Sequence, residues 1–131
     1  MRQACLLLLG LFLMSPGPVL AGGRQFGEAR AVVTRVCDGD TVVVDIPDYP
    51  DVIGKSIRIR LAGYNAEELR DPDPDRRRAA SQAKEALTAL LPPGAEITLR
   101  NIRRDKYFRL DADIRIHGED VAAHLRSLGR R

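Results

Sequence analysis

Ile57-Arg58-Ile59-Arg60-Leu61 alternates apolar and cationic residues without a break. Successive side chains of a strand point to opposite faces, so Ile57, Ile59 and Leu61 are assigned to a core while Arg58 and Arg60 share the other face. Upstream, Val32, Val33 and Val36, then Thr41 to Ile46, are β-branched runs separated by Asp38-Gly39-Asp40. They read as two strands joined by a tight turn. Pro47 to Gly54 is a turn-rich loop. Downstream, Gly63 to Arg78 reads as a long polar loop containing Asp71-Pro72-Asp73-Pro74-Asp75 and Arg76-Arg77-Arg78. Loops of that length in compact domains tend to be functional or mobile. Ala79 to Leu91 then places Ala83, Leu87, Leu90 and Leu91 on one helical stripe, which Pro92-Pro93-Gly94 ends. Ile97 and Leu99 suggest a fourth strand. In a fifth, Leu110, Ala112, Ile114 and Ile116 alternate with Arg109, Asp111, Asp113 and Arg115. Val121, Leu125 and Leu128 mark a short helix stopped by Gly129.

Three strands, a helix, two strands and a helix give a mainly-β class, a five-stranded barrel in the order β-β-β-α-β-β-α. This is the arrangement of an OB-fold, a small Greek-key barrel with a helix between its third and fourth strands. The N-terminus carries Arg2, the apolar run Leu6 to Met14 broken only by Gly10, then Ser15-Pro16-Gly17-Pro18 and Val19-Leu20-Ala21. The run is shorter than the ~20 apolar residues a bilayer span needs, and prolines follow it, so residues 1–21 read as a signal peptide cut after Ala21. An uncleaved anchor is the alternative. Residues 22–131 would then be one secreted or periplasmic domain, a monomer with no stable membrane insertion. Cys5 falls in the leader, which leaves Cys37 and no internal disulfide. A small buried thiol is expected there, since neither His117 nor His124 is spaced to activate it.

The formal net charge is +3, and the leader contributes Arg2 with no acid, so overall charge argues little for a polyanionic partner. Distribution says more. Between Arg100 and Arg109 stand five basic residues, Arg100, Arg103, Arg104, Lys106 and Arg109, against Asp105 alone. Such a patch can hold a polyanion, and a solvated loop accounts for it equally well.

Three stretches carry chemistry: Asp38-Gly39-Asp40-Thr41, Arg60-Leu61-Ala62-Gly63-Tyr64-Asn65-Ala66-Glu67-Glu68 and Asp105-Lys106-Tyr107-Phe108-Arg109. A phosphodiester repels nucleophiles by its own charge, so its cleavage needs cations around the phosphoryl oxygens and a base on the water. Together the stretches supply two arginines, a carboxylate-bearing turn and a glutamate. In order and spacing they resemble the staphylococcal nuclease (thermonuclease) family, from about Val32 to Gly129. The resemblance implies a calcium-dependent endonuclease that hydrolyses DNA and/or RNA to 3′-phosphate products. Asp40 would be a direct calcium ligand and Asn65 would occupy the second ligand position. Arg60, eight residues before Glu68, and Arg109 match the phosphate-binding arginines, and Glu68 matches the general base. Lys106 and Tyr107 match positions that contact a neighbouring phosphate. Asp38 has a structural alternative, bonding the amides of its own turn.

The chain departs from the family pattern at Asn65, usually Asp, which predicts a weaker calcium site. Glu67 replaces a proline and Phe108 a glycine, and the chain ends before the strand, aromatic pair and helix of longer members. The rival from another class is a non-catalytic OB-fold module binding nucleic acid or another partner. A base between two phosphate clamps has no evident purpose in such a module. Asp38-Gly39-Asp40-Thr41-Val42 also satisfies a haloacid dehalogenase signature, but that architecture needs a doubly wound sheet with alternating strands and helices. Asp71, Asp73 and Asp75 hint at an EF-hand, which Arg76 at the required glycine position rules out. Arg58 and the Arg76-Arg77-Arg78 run read as solvated residues, the run with a DNA path as its alternative.

Overall fold

The computed structural model of the chain describes residues 27–107 and 109–129. The proposed leader and Phe108 lie outside the described residues.

Strand β1 (Glu28–Asp38) is long enough to serve two neighbours, because each half pairs with a different strand. Its C-terminal half runs antiparallel to β2 (Thr41–Asp45), with Val36 opposite Val42 and Val32 opposite Asp45. Its N-terminal half pairs with β4 (Glu96–Arg104), with Ala31 opposite Ile97 and Ala29 opposite Leu99. Register irregularities at Val33/Arg35 and Val36/Asp38 bend the strand between these partners, as bulges do. Strand β3 (Ile57–Leu61) adds to β2, and β5 (Leu110–Ile116) adds to β4. The ring closes where β3 and β5 pair in parallel, Ile59 with Leu110, Arg60 with Asp111 and Leu61 with Ala112. The result is a mainly-β, closed five-stranded mixed barrel of the OB-fold kind. A two-residue strand β6 (Glu119–Asp120), too short to leave a periodic signal, extends β5.

The inward faces follow the alternation. Ile59 and Leu61 are buried and Ile57 packs partly against them; Ala112 and Ile114 are buried while Leu110 and Ile116 lie at the core's edge. Helix α2 (Pro74–Leu90) packs over β1, with Leu87 and, just past its end, Leu91 fully buried. Helix α3 (Val121–Leu128) adds Val121, Ala122 and Leu125. Leu128, expected on that apolar stripe, is the last residue of the helix and is 44 % exposed. Cys37 is half-buried rather than a core thiol, and Arg35 Nη1 donates to its sulfur at 3.3 Å.

Two loop assignments need correction. Within Pro47 to Gly54 a single helical turn, α1 (Asp51–Gly54), folds back so that Ile46 N–H donates to the Gly54 carbonyl. Helix α2 starts at Pro74, not Ala79, which takes Arg76, Arg77 and Arg78 out of the loop. Asp73 is its N-cap, accepting from the Asp75 amide at 2.8 Å, and Pro74 occupies the first turn, where its missing N–H is not needed. The Asp-Pro repeat is thus a helix start as well as a turn signal. Arg77 donates to the carbonyls of Asp71 and Pro72, Arg76 pairs with Asp71 and Arg78 with Asp75. The run braces the helix entry.

Leu87 joins helix to barrel with no solvent contact, so Leu87→Ala removes apolar burial and leaves a cavity. A loss of about 2–5 kcal/mol in urea unfolding is expected. A loss below about 1 kcal/mol would show that α2 is not part of the cooperative core.

Candidate active site

The turn between β1 and β2 is built around a glycine that cannot be larger. A Cβ at Gly39 would lie 2.5 Å from the Ala66 Cβ and 2.6 Å from the Ala83 Cβ, so the turn, the 62–73 loop and helix α2 meet at this point. Asp38 Oδ1 accepts from the Asp40 amide at 3.3 Å, the turn-holding role open to it from the sequence. Asp40 Oδ1 accepts from the Thr41 hydroxyl at 2.9 Å, and its Oδ2 accepts from the Ala66 amide at 3.3 Å. One carboxylate therefore ties the turn to the loop that carries Asn65 and Glu68. From the other side Arg126 of α3 donates to the Gly63 carbonyl at 2.7 Å, at the left-handed residue where that loop begins.

Asp40, Arg60, Asn65, Glu68 and Arg109 line one open cleft of about 560 Å³, with Asp38, Thr41, Glu67 and Arg70 among its other walls. Arg60 comes from β3. Its Nη2 donates to Asn65 Oδ1, and its Nη1 lies 3.6 Å from Asp111 Oδ1. Arg109 is held by Asp105, whose Oδ2 accepts from Nε at 2.8 Å while its Oδ1 accepts from the Tyr107 and Arg109 amides. Glu68 is exposed and forms no hydrogen bond or ion pair through its side chain among the described residues. Lys106 and Tyr107 do not line the cleft. Tyr107 is 64 % exposed, with the Lys106 ammonium 4.9 Å and the Arg109 guanidinium carbon 5.3 Å from its ring centre, so it stands beside the cleft as a cation-flanked ring.

Burial pushes the Asp38 carboxyl above its ordinary value, and the Asp40 carboxyl beside it adds to the rise. At Asp105, desolvation acts upward, but the amides of Tyr107 and Arg109 and the Arg109 side chain outweigh it and hold the carboxyl below its ordinary value. Asp105 therefore contributes stability above the ordinary carboxylate range, lost as pH falls through its lowered folded value. The grip on Arg109 persists at neutral pH.

No group of three or more His, Cys, Asp or Glu side chains placed to hold a metal occurs among the described residues. The Asn65 oxygen faces the Arg60 guanidinium, which takes the place of a cation there. Carboxylate oxygens have more than one acceptor position, so Asp40, with Asp38 adjacent, can still offer oxygen to a hard ion. Any calcium bound here would have Asp40 as its chief ligand, and Asn65 could join only if Arg60 released it. A second cleft, about 500 Å³, lies along β1 and β4, where Arg30, Arg100 and Arg115 face Glu28, Asp48 and Glu96. Its charges balance, and none of the expected residues lines it.

Sequence alone missed Asp105, Asp111 and Arg126. Asp105 had a local signal, an acid at the start of a turn two and four residues before the amides it accepts from. Asp111 and Arg126 had none, since their partners are distant in sequence. His117 sits in a turn at positive φ, and His124 lies on the helix surface 4.0 Å from Glu119, as their neighbours suggested.

Because its folded pKa is raised, Asp38 favours folding while protonated, and that contribution is lost as pH rises through the folded value. In metal-free buffer at pH 7, Asp38→Asn should raise stability by on the order of 0.5 kcal/mol, a small gain because solvent screens the pair. Thermal unfolding should show that gain vanish below the ordinary carboxylate range; a loss at pH 7 would mean that the charge is needed in the turn. No protein-family model and no curated protein matches the chain.

Proposed function

We propose that this protein is a nuclease, a phosphodiesterase that hydrolyses the linkages of DNA and/or RNA. The observation that carries the proposal is the convergence of Arg60, Arg109, Glu68 and Asp40 on one open cleft. Two guanidinium groups stay charged at any working pH and donate paired hydrogen bonds to phosphoryl oxygens, which orients the phosphate and offsets its charge. Glu68, at the cleft wall and without a side-chain partner among the described residues, accepts a proton from the attacking water. The water oxygen bonds to phosphorus, the bond from phosphorus to the 5′ oxygen breaks, and the leaving oxygen takes a proton from solvent, giving a 3′-phosphate. Asp40, joined by Asn65 if Arg60 releases it, would hold calcium, which supplies further positive charge beside the phosphate. The openness of the cleft suits a polymer passing through it rather than an enclosed small molecule.

Lys106 and Tyr107, at the rim, are proposed to contact an adjoining phosphate and base. Residues 1–21 are proposed to direct export, placing the enzyme in a periplasm or outside the cell as a monomer. No helix among the described residues is long and apolar enough to cross a membrane.

The decisive experiment incubates residues 22–131 with single-stranded DNA and with RNA, in calcium or in chelator, beside Glu68→Gln. Calcium-dependent cutting that falls about 10²–10⁴-fold in the variant is expected, the range for loss of a general base. Retention of the oligonucleotide without cutting in any condition would instead identify a binding module. Equal cutting by wild type and Glu68→Gln would remove Glu68 from the mechanism.

A further inference from the structure

We propose that Asp111 is the positioning residue of Arg60, a carboxylate on the barrel wall that fixes the guanidinium plane presented to the cleft. This rests on the proposed phosphodiester chemistry of that cleft. Asp111 lies on β5 at the strand's two-sided junction. The parallel ladder sets it opposite Arg60 of β3, and the antiparallel ladder sets it opposite Arg103 of β4. One carboxylate thus stands between two guanidinium groups, with Oδ1 3.6 Å from Arg60 Nη1 and Oδ2 accepting from Arg103 Nη2 at 3.3 Å.

The two oxygens are not equivalent. Oδ2 has its donor in Arg103, whereas Oδ1 is shielded from solvent and has no hydrogen bond. A buried acceptor without a donor is costly, and the 3.6 Å to Arg60 is too long to count as one. Arg60 Nη1 is the group placed to close that gap by a small swing. On its other amino group Arg60 is bonded to Asn65, which belongs to the exposed 62–73 loop. A phosphate entering the cleft competes with the neutral Asn65 oxygen for the same donor. It competes less well with Asp111, which is charged, four-fifths buried and held in a ladder on both sides. The arrangement releases Arg60 toward substrate on the loop side and retains it on the barrel side. Because one negative charge is shared by two arginines, the cluster still attracts an anion.

The test compares wild type with Asp111→Asn and with Asp113→Asn, two residues along β5, whose carboxylate accepts from Asn101, using steady-state cleavage of a single-stranded oligonucleotide and NMR of the arginine side-chain N–H groups. Asp111→Asn should lower kcat by about tenfold, the low end for loss of a group that orients a functional side chain, with KM changed less than about twofold. Its Arg60 Nη resonances should average through faster rotation, while the backbone amide spectrum stays native. Asp113→Asn should leave both readouts near wild type. Unchanged Arg60 resonances and kcat in Asp111→Asn, or an equal loss in Asp113→Asn, would overturn the assignment. If Asp111→Asn does not fold, Asp111→Glu keeps the charge, displaces it by one methylene and is read in the same way. If wild type cuts nothing, the proposed function fails, and restricted Arg60 resonances that Asp111→Asn frees, or fails to free, decide the inference separately.

Discussion

The parallel rungs between β3 and β5 are the constraint on which the rest of the structure depends. Without them β1 to β5 form an open sheet; with them the sheet closes, and Ile59, Leu61, Ala112 and Ile114 face one another across a filled interior. Closure also has a chemical consequence on the outer surface. The register that puts Leu61 beside Ala112 puts Arg60 beside Asp111, because side chains alternate and a parallel pair keeps that alternation in step. The cleft is therefore a by-product of sealing the core.

Around that seam, the functional groups are held by polar contacts that connect separate elements. Asp40 joins the β1–β2 turn to the 62–73 loop through the Ala66 amide, Gly39 lets turn, loop and α2 approach, and Arg126 anchors the loop's start from α3. The loop has little apolar burial, so these contacts give it a defined course. Asp105 does the same for Arg109 with two backbone acceptances and one side-chain bond. Arg60 and Arg109 each have a carboxylate near them while keeping further N–H groups for a ligand, since a guanidinium has five. Glu68, by contrast, has no side-chain partner among the described residues, which suits the proton-accepting role proposed for it.

Much of the fold was legible in the chain because burial imposes a period of two on strands and near four on helices. Ile57 to Leu61 and Leu110 to Ile116 show the first, and Ala83, Leu87, Leu90 and Leu91 the second. The signals that failed were those with two meanings. Asp73-Pro74 is as suitable for a helix start as for a turn, and Leu128 satisfies the helical period yet is exposed at the helix end. At the site, the family resemblance of three motifs picked out Arg60, Glu68, Arg109, Asp40 and Asn65, and these share a cleft. Lys106 and Tyr107, matched by the same resemblance to positions that contact a neighbouring phosphate, stand outside it.

The sequence by itself determined which residues enter the core, the order of strands and helices, and the supply of two arginines, a glutamate and a carboxylate turn, because those are properties of side chains and local periodicity. Tertiary structure alone decided which neighbours each charge meets. That Asn65 faces Arg60, that Asp111 lies between Arg60 and Arg103, and that Arg126 reaches Gly63 all depend on strand register and helix placement. These are set by packing the whole chain at once, and no local stretch encodes them.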